Sequence, residues 1–120
     1  MLVKILVMVI IVFVIDMIWI KSVAQSKYQS LIAKIQKSPM VVNNTYAVLS
    51  YIIIAILVLF LEQKNFNHTE MFIAGLLTYG VYDLTCAAIF SDWDFWFGVA
   101  DMIWGGILFT SSAYIFRRIM

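Results

Sequence analysis

The chain has 120 residues, of which 64% are hydrophobic and 12% charged, with a formal net charge of +1. Soluble domains have about 45–50% apolar and about 25% charged residues, so most of this surface must face lipid. The near-neutral balance, without a basic patch interleaved with aromatics, gives no argument for a nucleic-acid partner, and none is expected. The length fits one domain, residues 1–120. The single cysteine, Cys86, forms no intrachain disulfide.

Leu2 to Ile20 is the first apolar run, about long enough to cross a ~30 Å hydrocarbon core at 1.5 Å per residue. A cleavable signal peptide is the alternative, with Lys4 as the charged start, Ile5 to Ile15 as the apolar core and Ser22-Val23-Ala24 as the cleavage site. Asp16 and Trp19 argue against it, so Met1 and this span are expected to be retained.

Lys21 to Met40 is polar. Tyr28, Leu31, Ile32 and Ile35 share one helical face, and Lys27, Lys34 and Lys37 lie elsewhere on the wheel. This spacing predicts a short interfacial helix in the headgroup layer, apolar side toward the bilayer or the bundle. A plain polar connector is the alternative. Pro39 ends the helix, because proline disfavours the α conformation of the residue before it.

Val41 to Leu61 is the second span. It holds little that is polar beyond Ser50 and Tyr51, and is expected to be the most lipid-exposed helix. A polar turn, Glu62 to Glu70, carries Lys64 and His68. Met71 to Phe90 is the third span. Ser91-Asp92-Trp93-Asp94 is a tight turn, with Trp93 and Trp96 placed like an interfacial aromatic belt. Phe95 to Phe116 is the fourth span, stopped by Arg117 and Arg118. The fold expected is therefore an all-α integral membrane four-helix bundle.

Four spans put both termini on one side, A, and the Lys21–Met40 segment on the other, B. Lys4, Lys64, Arg117 and Arg118 fall on side A, and Lys21, Lys27, Lys34 and Lys37 on side B. These equal counts leave the orientation undetermined by the positive-inside rule. The tripeptides Asn43-Asn44-Thr45 and Asn67-His68-Thr69 have the N-glycosylation pattern but lie on opposite sides, and carry no functional weight.

Three aspartates fall inside spans. Two belong to a repeated tetrapeptide, Asp16-Met17-Ile18-Trp19 and Asp101-Met102-Ile103-Trp104, and the third is in Tyr79-Gly80-Val81-Tyr82-Asp83-Leu84-Thr85. Counting residues from the turns puts all three roughly 7–12 Å below the side B interface. Their common depth predicts one buried polar cluster of Asp16, Asp83 and Asp101. Trp19 and Trp104 would shield it or offer indole N–H groups, and Tyr79, Tyr82 and Thr85 would add hydrogen bonds. Gly98, Gly105 and Ser112 recur every seven residues as a smooth helix-packing seam. Three carboxyls at this depth cannot all ionise cheaply, so a proton or a bound cation is expected among them. No metal-ligand, phosphate-loop or dinucleotide motif is present, and no cofactor is expected.

The blocks Asp16-x-x-Trp19, Tyr82-Asp83-Leu84-Thr85 and Asp101-x-x-Trp104-Gly105 resemble the signatures of the domain-of-unknown-function 2177 family of predicted membrane proteins, over essentially the whole chain. In that family an asparagine usually follows Tyr-Asp-Leu-Thr, where this chain has Cys86. The resemblance implies a bacterial-type membrane protein. It has relatives in large DNA viruses, for which it implies a place in the virion membrane. It implies no activity.

Three functions are weighed. The first is a structural or assembly component of a membrane or a multi-subunit membrane complex, with the bilayer and other membrane proteins or itself as partners. The second is a proton- or cation-coupled carrier working as an oligomer. The third is an intramembrane aspartyl enzyme, which the short chain and the sequence Gly98-Val99-Ala100 before Asp101 disfavour. The expectation is that the protein is not an enzyme.

Overall fold

A computed structural model describes all residues, 1–120, and contains no strands. Helix α1 spans Leu2–Trp19 and passes through a π-helical stretch, Ile20–Ala24, directly into α2, Gln25–Gln36. Helix α3 spans Asn44–Gln63, α4 His68–Ile89 and α5 Phe95–Ile119. Four continuous helices, Leu2–Gln36, Asn44–Gln63, His68–Ile89 and Phe95–Ile119, are long and apolar enough to cross a membrane. The protein is an all-helical, multi-pass integral membrane protein.

The starts of the later helices are written in short polar side chains. Asn43 Oδ1 accepts from the Tyr46 amide at 3.2 Å, and Asp94 Oδ1 from the Phe97 amide at 3.1 Å. Asn67 and Glu70 form a reciprocal capping box, with bonds of 2.8 and 2.9 Å. Each cap satisfies an amide that the first helical turn leaves unpaired. The two glycosylation-like tripeptides thus open helices: Asn43 and Asn67 are their N-caps.

The expected short interfacial helix is not there as a separate element. The chain never leaves the helix after the first span, and α2 continues α1. Extending an existing helix needs no new nucleus, whereas an independent in-plane helix would. The apolar face of α2 is used against the bundle. Leu31 is buried, and Tyr28, Ile32 and Ile35 pack with it on Ala24, Trp93 and Phe97. Helix α2 ends at Gln36, and Lys37 turns the chain in the left-handed conformation at φ 59°. Gln36 Nε2 donates to the carbonyls of Ser38 and Pro39 just beyond.

Helix α5 is the hub. Some 44% of its most apolar window is buried, against 17% for the first and second spans and 22% for the third. The second span therefore shares the greatest lipid exposure with the first. Helix α4 lies along α5 as the most extensive helix pair, and α1 packs on both α3 and α5. The side A half of the core is apolar, built from Met8, Val12, Val58, Met71, Leu108 and Phe109 with their neighbours. Only Ser112 brings a buried polar side chain there, fully enclosed and without a hydrogen-bond partner for its Oγ. At the side A surface Arg117 pairs with Glu62 at 3.4 Å and donates to the Phe66 carbonyl, fastening α5 to the α3–α4 turn.

The α4–α5 contact depends on glycine. A Cβ on Gly105 would stand 2.5 Å from Tyr79 Cγ and 2.7 Å from the Gly75 carbonyl oxygen. One on Gly106 would stand 2.7 Å from the Phe72 ring. Gly98 is less confined, with Asp83 Cβ 3.5 Å and Trp93 Nε1 3.3 Å from the same position. Of the expected seam, Gly98 and Gly105 face α4 and Ser112 continues into the apolar core. Gly75 and Gly106 are close-contact positions that the seven-residue spacing did not include.

The Gly105→Ala variant is expected to lose about 1–3 kcal/mol in reversible unfolding in mixed micelles, because a ring and a backbone carbonyl both block the added methyl. Ser112→Ala removes an unpaired hydroxyl and should be neutral or slightly stabilising in the same titration.

Candidate functional site: a reciprocal aspartate–tryptophan layer

Asp16, Asp83 and Asp101 are all buried, at 7%, 2% and 3% relative exposure. They belong to α1, α4 and α5. In low dielectric each carboxyl must find donors inside the protein.

Asp16 and Asp101 do so by exchange. Trp104 Nε1 donates to Asp16 Oδ1 at 2.8 Å, and Trp19 Nε1 donates to Asp101 Oδ1 at 3.2 Å. Each indole thus serves the aspartate of the other tetrapeptide. The two rings stack between the carboxyls, 5.5 Å apart and 11° from parallel. Helices α1 and α5 run antiparallel, so both bonds fit one register only if the Asp-to-Trp spacing is the same on each helix. The repeated tetrapeptide satisfies that requirement. Its two copies are also buried alike: both aspartates are enclosed, the methionines and tryptophans are half-buried, and Ile18 and Ile103 face outward.

The second oxygen of each carboxylate takes a phenol from a further segment. Tyr51 of α3 donates to Asp16 Oδ2 at 2.6 Å, and Tyr28 of α2 to Asp101 Oδ2 at 3.4 Å. Phe13 meets the Tyr51 ring edge-on at 5.4 Å, and Phe97 meets the Tyr28 ring edge-on at 5.0 Å. Neither tyrosine was among the expected site residues. The signal for Tyr51 is its depth, seven residues into α3 from Asn44.

Asp83 is different. Neither of its oxygens has a donor. Its Cβ packs over Gly98, three residues before Asp101 on α5. Asp83 also borders a cavity of about 10 Å³ shared with Trp93 and Gly98. That is room for about one water. Trp93 Nε1, also buried and unpartnered, lines the same cavity.

The remaining expected members sit outside the donor network. Tyr79 is half-buried, with its ring over Gly105 and edge-on to Phe109 at 6.5 Å. Tyr82 is 52% exposed and its ring meets Trp93 at 6.2 Å. Thr85 is exposed and bonds no carboxyl. The reason is angular: residues one before and two after Asp83 do not share its helical face. Trp93 is not a belt residue either. It is 8% exposed, packed on Tyr28 and Phe90, whereas Trp96 at 76% exposure does face outward.

A cleft of about 300 Å³ reaches this layer from the outside, between α3 and α4, which scarcely touch each other. Ser50 and Ile54 form one wall, and Thr78, Tyr79 and Tyr82 the other. Tyr28 and Asp101 complete it.

Comparison with known proteins is consistent with this architecture. No curated protein and no solved structure matches the chain. The family model described as "Predicted membrane protein (DUF2177)" matches residues 1–116. The match covers the first three membrane-crossing helices, the fourth as far as Phe116 and every residue of the aspartate–tryptophan layer, and the chain belongs to that family of predicted membrane proteins.

Proposed function

We propose that the protein is a structural component of its membrane, a four-span unit that assembles with other membrane proteins or with itself. Its aspartates serve to lock the helices together. The observation that carries this reading is the reciprocal Asp16–Trp104 and Asp101–Trp19 pairing, in which donors from within the fold satisfy every oxygen of two carboxylates. The apolar side A core supports it, since it offers no second polar layer through which an ion would cross. The outward faces of α1 and α3 are broad and apolar, suited to lipid or to a neighbouring membrane helix.

A flux assay tests the reading against the proton- or cation-coupled carrier. Proteoliposomes containing the protein should show no pH-dependent cation or proton flux above protein-free liposomes. Flux that disappears in Asp83→Asn would overturn the structural role.

Two stability measurements test the lock itself. In a double-mutant cycle of Asp16→Ala and Trp104→Phe, the coupling should be favourable, about 0.6 kcal/mol and at most ~1.7 kcal/mol, as for other interhelical hydrogen bonds in membranes. Zero coupling would mean that the pair contributes nothing to stability.

The Asp83→Asn variant should fold normally and melt at or above the wild-type temperature, because an uncharged amide is cheaper to bury than a carboxyl whose oxygens have no donor. Unfolding of this variant in nanodiscs would show that the negative charge at Asp83 is itself required.

A further inference from the structure

The cleft between α3 and α4 shares Asp101 and Tyr28 with the lock and adds Ser50, Thr78, Tyr79 and Tyr82, which the lock does not use. We propose that it binds a primary ammonium group, with Asp101 as counter-ion and the phenols of Tyr28, Tyr79 and Tyr82 as its walls.

Charge selects the sign of the ligand. No lysine, arginine or histidine lines the cleft, and Asp101 is its one ionisable acid. Asp83, 2% exposed and without a donor on either oxygen, packs over Gly98 on the same helix as Asp101. Neither carboxyl has a lysine, arginine or histidine as an ion-pair partner. A buried charge left so is costly, and a cation in the cleft would supply the missing partner.

The lining selects the kind of cation. Calcium and magnesium take six or more oxygen ligands and zinc favours histidine and cysteine, whereas the cleft has one carboxylate and neither histidine nor cysteine. An ammonium group has three donors and no acceptor. It would meet the oxygens of Ser50, Thr78 and the tyrosines besides Asp101. The Thr78 hydroxyl already donates to the Ala74 carbonyl at 2.7 Å, which leaves its lone pairs to accept. Phenol rings favour a cation over a neutral group of the same size. Of the bonds to Asp16 and Asp101, the one from Tyr28 to Asp101 is the longest, at 3.4 Å, and so the easiest to exchange for a ligand.

Size and access fit as well. About 300 Å³ is at the lower end of the range for small-molecule sites. The cleft opens between two helices whose outer faces, with Ile53, Leu77 and Val81, are exposed and apolar. A ligand entering from the bilayer would place its amine at Asp101 and leave its tail among the acyl chains. A free amine offers the same head without the tail.

The test uses the full-length protein in nanodiscs of zwitterionic lipid, with unfolding temperature as the readout, since a ligand of the native state raises it with concentration. The probes are dodecylamine, dodecanol and butylamine. Ser50→Trp fills the cleft from an exposed position and serves as the control for effects on the bilayer alone. Dodecylamine should stabilise the wild type and leave Ser50→Trp unchanged, and dodecanol should stabilise neither. Asp101→Asn should weaken the apparent affinity by roughly tenfold or more, as expected for loss of a charge-assisted bond. Tyr82→Leu, at a half-exposed position that donates to neither Asp16 nor Asp101, should weaken it by about threefold. Stabilisation by butylamine at similar concentration would identify a free amine as the ligand, and its absence an amine carried on a lipid-like tail. Equal shifts with dodecanol, equal shifts in Ser50→Trp, or undiminished affinity in Tyr82→Leu would each overturn the proposal.

Discussion

A carboxyl placed one or two helical turns inside a bilayer has no water to turn to, so the protein must supply its hydrogen bonds. Much of the structure follows from that demand at Asp16 and Asp101. The donors come from elements distant in sequence: Trp104 and Tyr51 for the first, Trp19 and Tyr28 for the second. Because each helix of the α1–α5 pair contributes one acid and one indole, the two bonds constrain the same degree of freedom from both ends. A slip of one residue along the helix axis, about 1.5 Å, would break both bonds and unstack the indoles. Apolar packing alone would tolerate such a slip better, since lipid-facing and core-facing side chains in these helices are chemically alike.

The two halves of the bundle use different means to hold together. Toward side A, α1, α3, α4 and α5 meet through ordinary apolar contacts, with Arg117, Glu62 and the Phe66 carbonyl fastening the surface. Toward side B, aromatic rings do most of the packing. Trp19, Trp104, Phe97, Tyr28 and Trp93 form a nearly continuous set of ring contacts around the carboxyls. Rings with a polar edge suit this depth, because one part of each can be apolar while its N–H or O–H serves an acid. Helix α5 takes part in both halves, and its glycines let α4 come close enough to bring Asp83 over Gly98.

The spans were legible because hydropathy and length decide them with little competition. The common depth of the three aspartates was legible too, since it needs only the rise per residue and the position of each turn. What could not be read was rotation about the helix axes, which side-chain packing between segments decides. Thus Tyr82 and Thr85, close to Asp83 in sequence, face away from it. Tyr51 and Tyr28, with no sequence tie to either tetrapeptide, supply the phenols. The repeat itself was visible, but not that each tryptophan would serve the opposite aspartate. That depends on α1 and α5 being antiparallel neighbours, and hydropathy does not choose neighbours. The lysines of the Lys21–Met40 segment pointed to a headgroup location. They did not disclose that the helix would run on unbroken and spend its apolar face on Trp93 and Phe97.

The π-helical stretch at Ile20–Ala24 gives that long helix two independent phases. A π-turn holds one residue more than an α-turn, so everything after it is rotated by roughly 100° relative to an uninterrupted helix. A straight α-helix has a single stripe to offer along its whole length. Here the stripe of α1, with Met8, Val12 and Asp16, faces α3 and α5, and a second stripe on α2, with Tyr28 and Leu31, is aimed separately at the α4–α5 turn. The inserted residue works as a gear change within one continuous rod. Sequence drift on either side of it can be absorbed without disturbing the aim of the other, and the membrane anchor and the cover over the side B end can vary as separate parts.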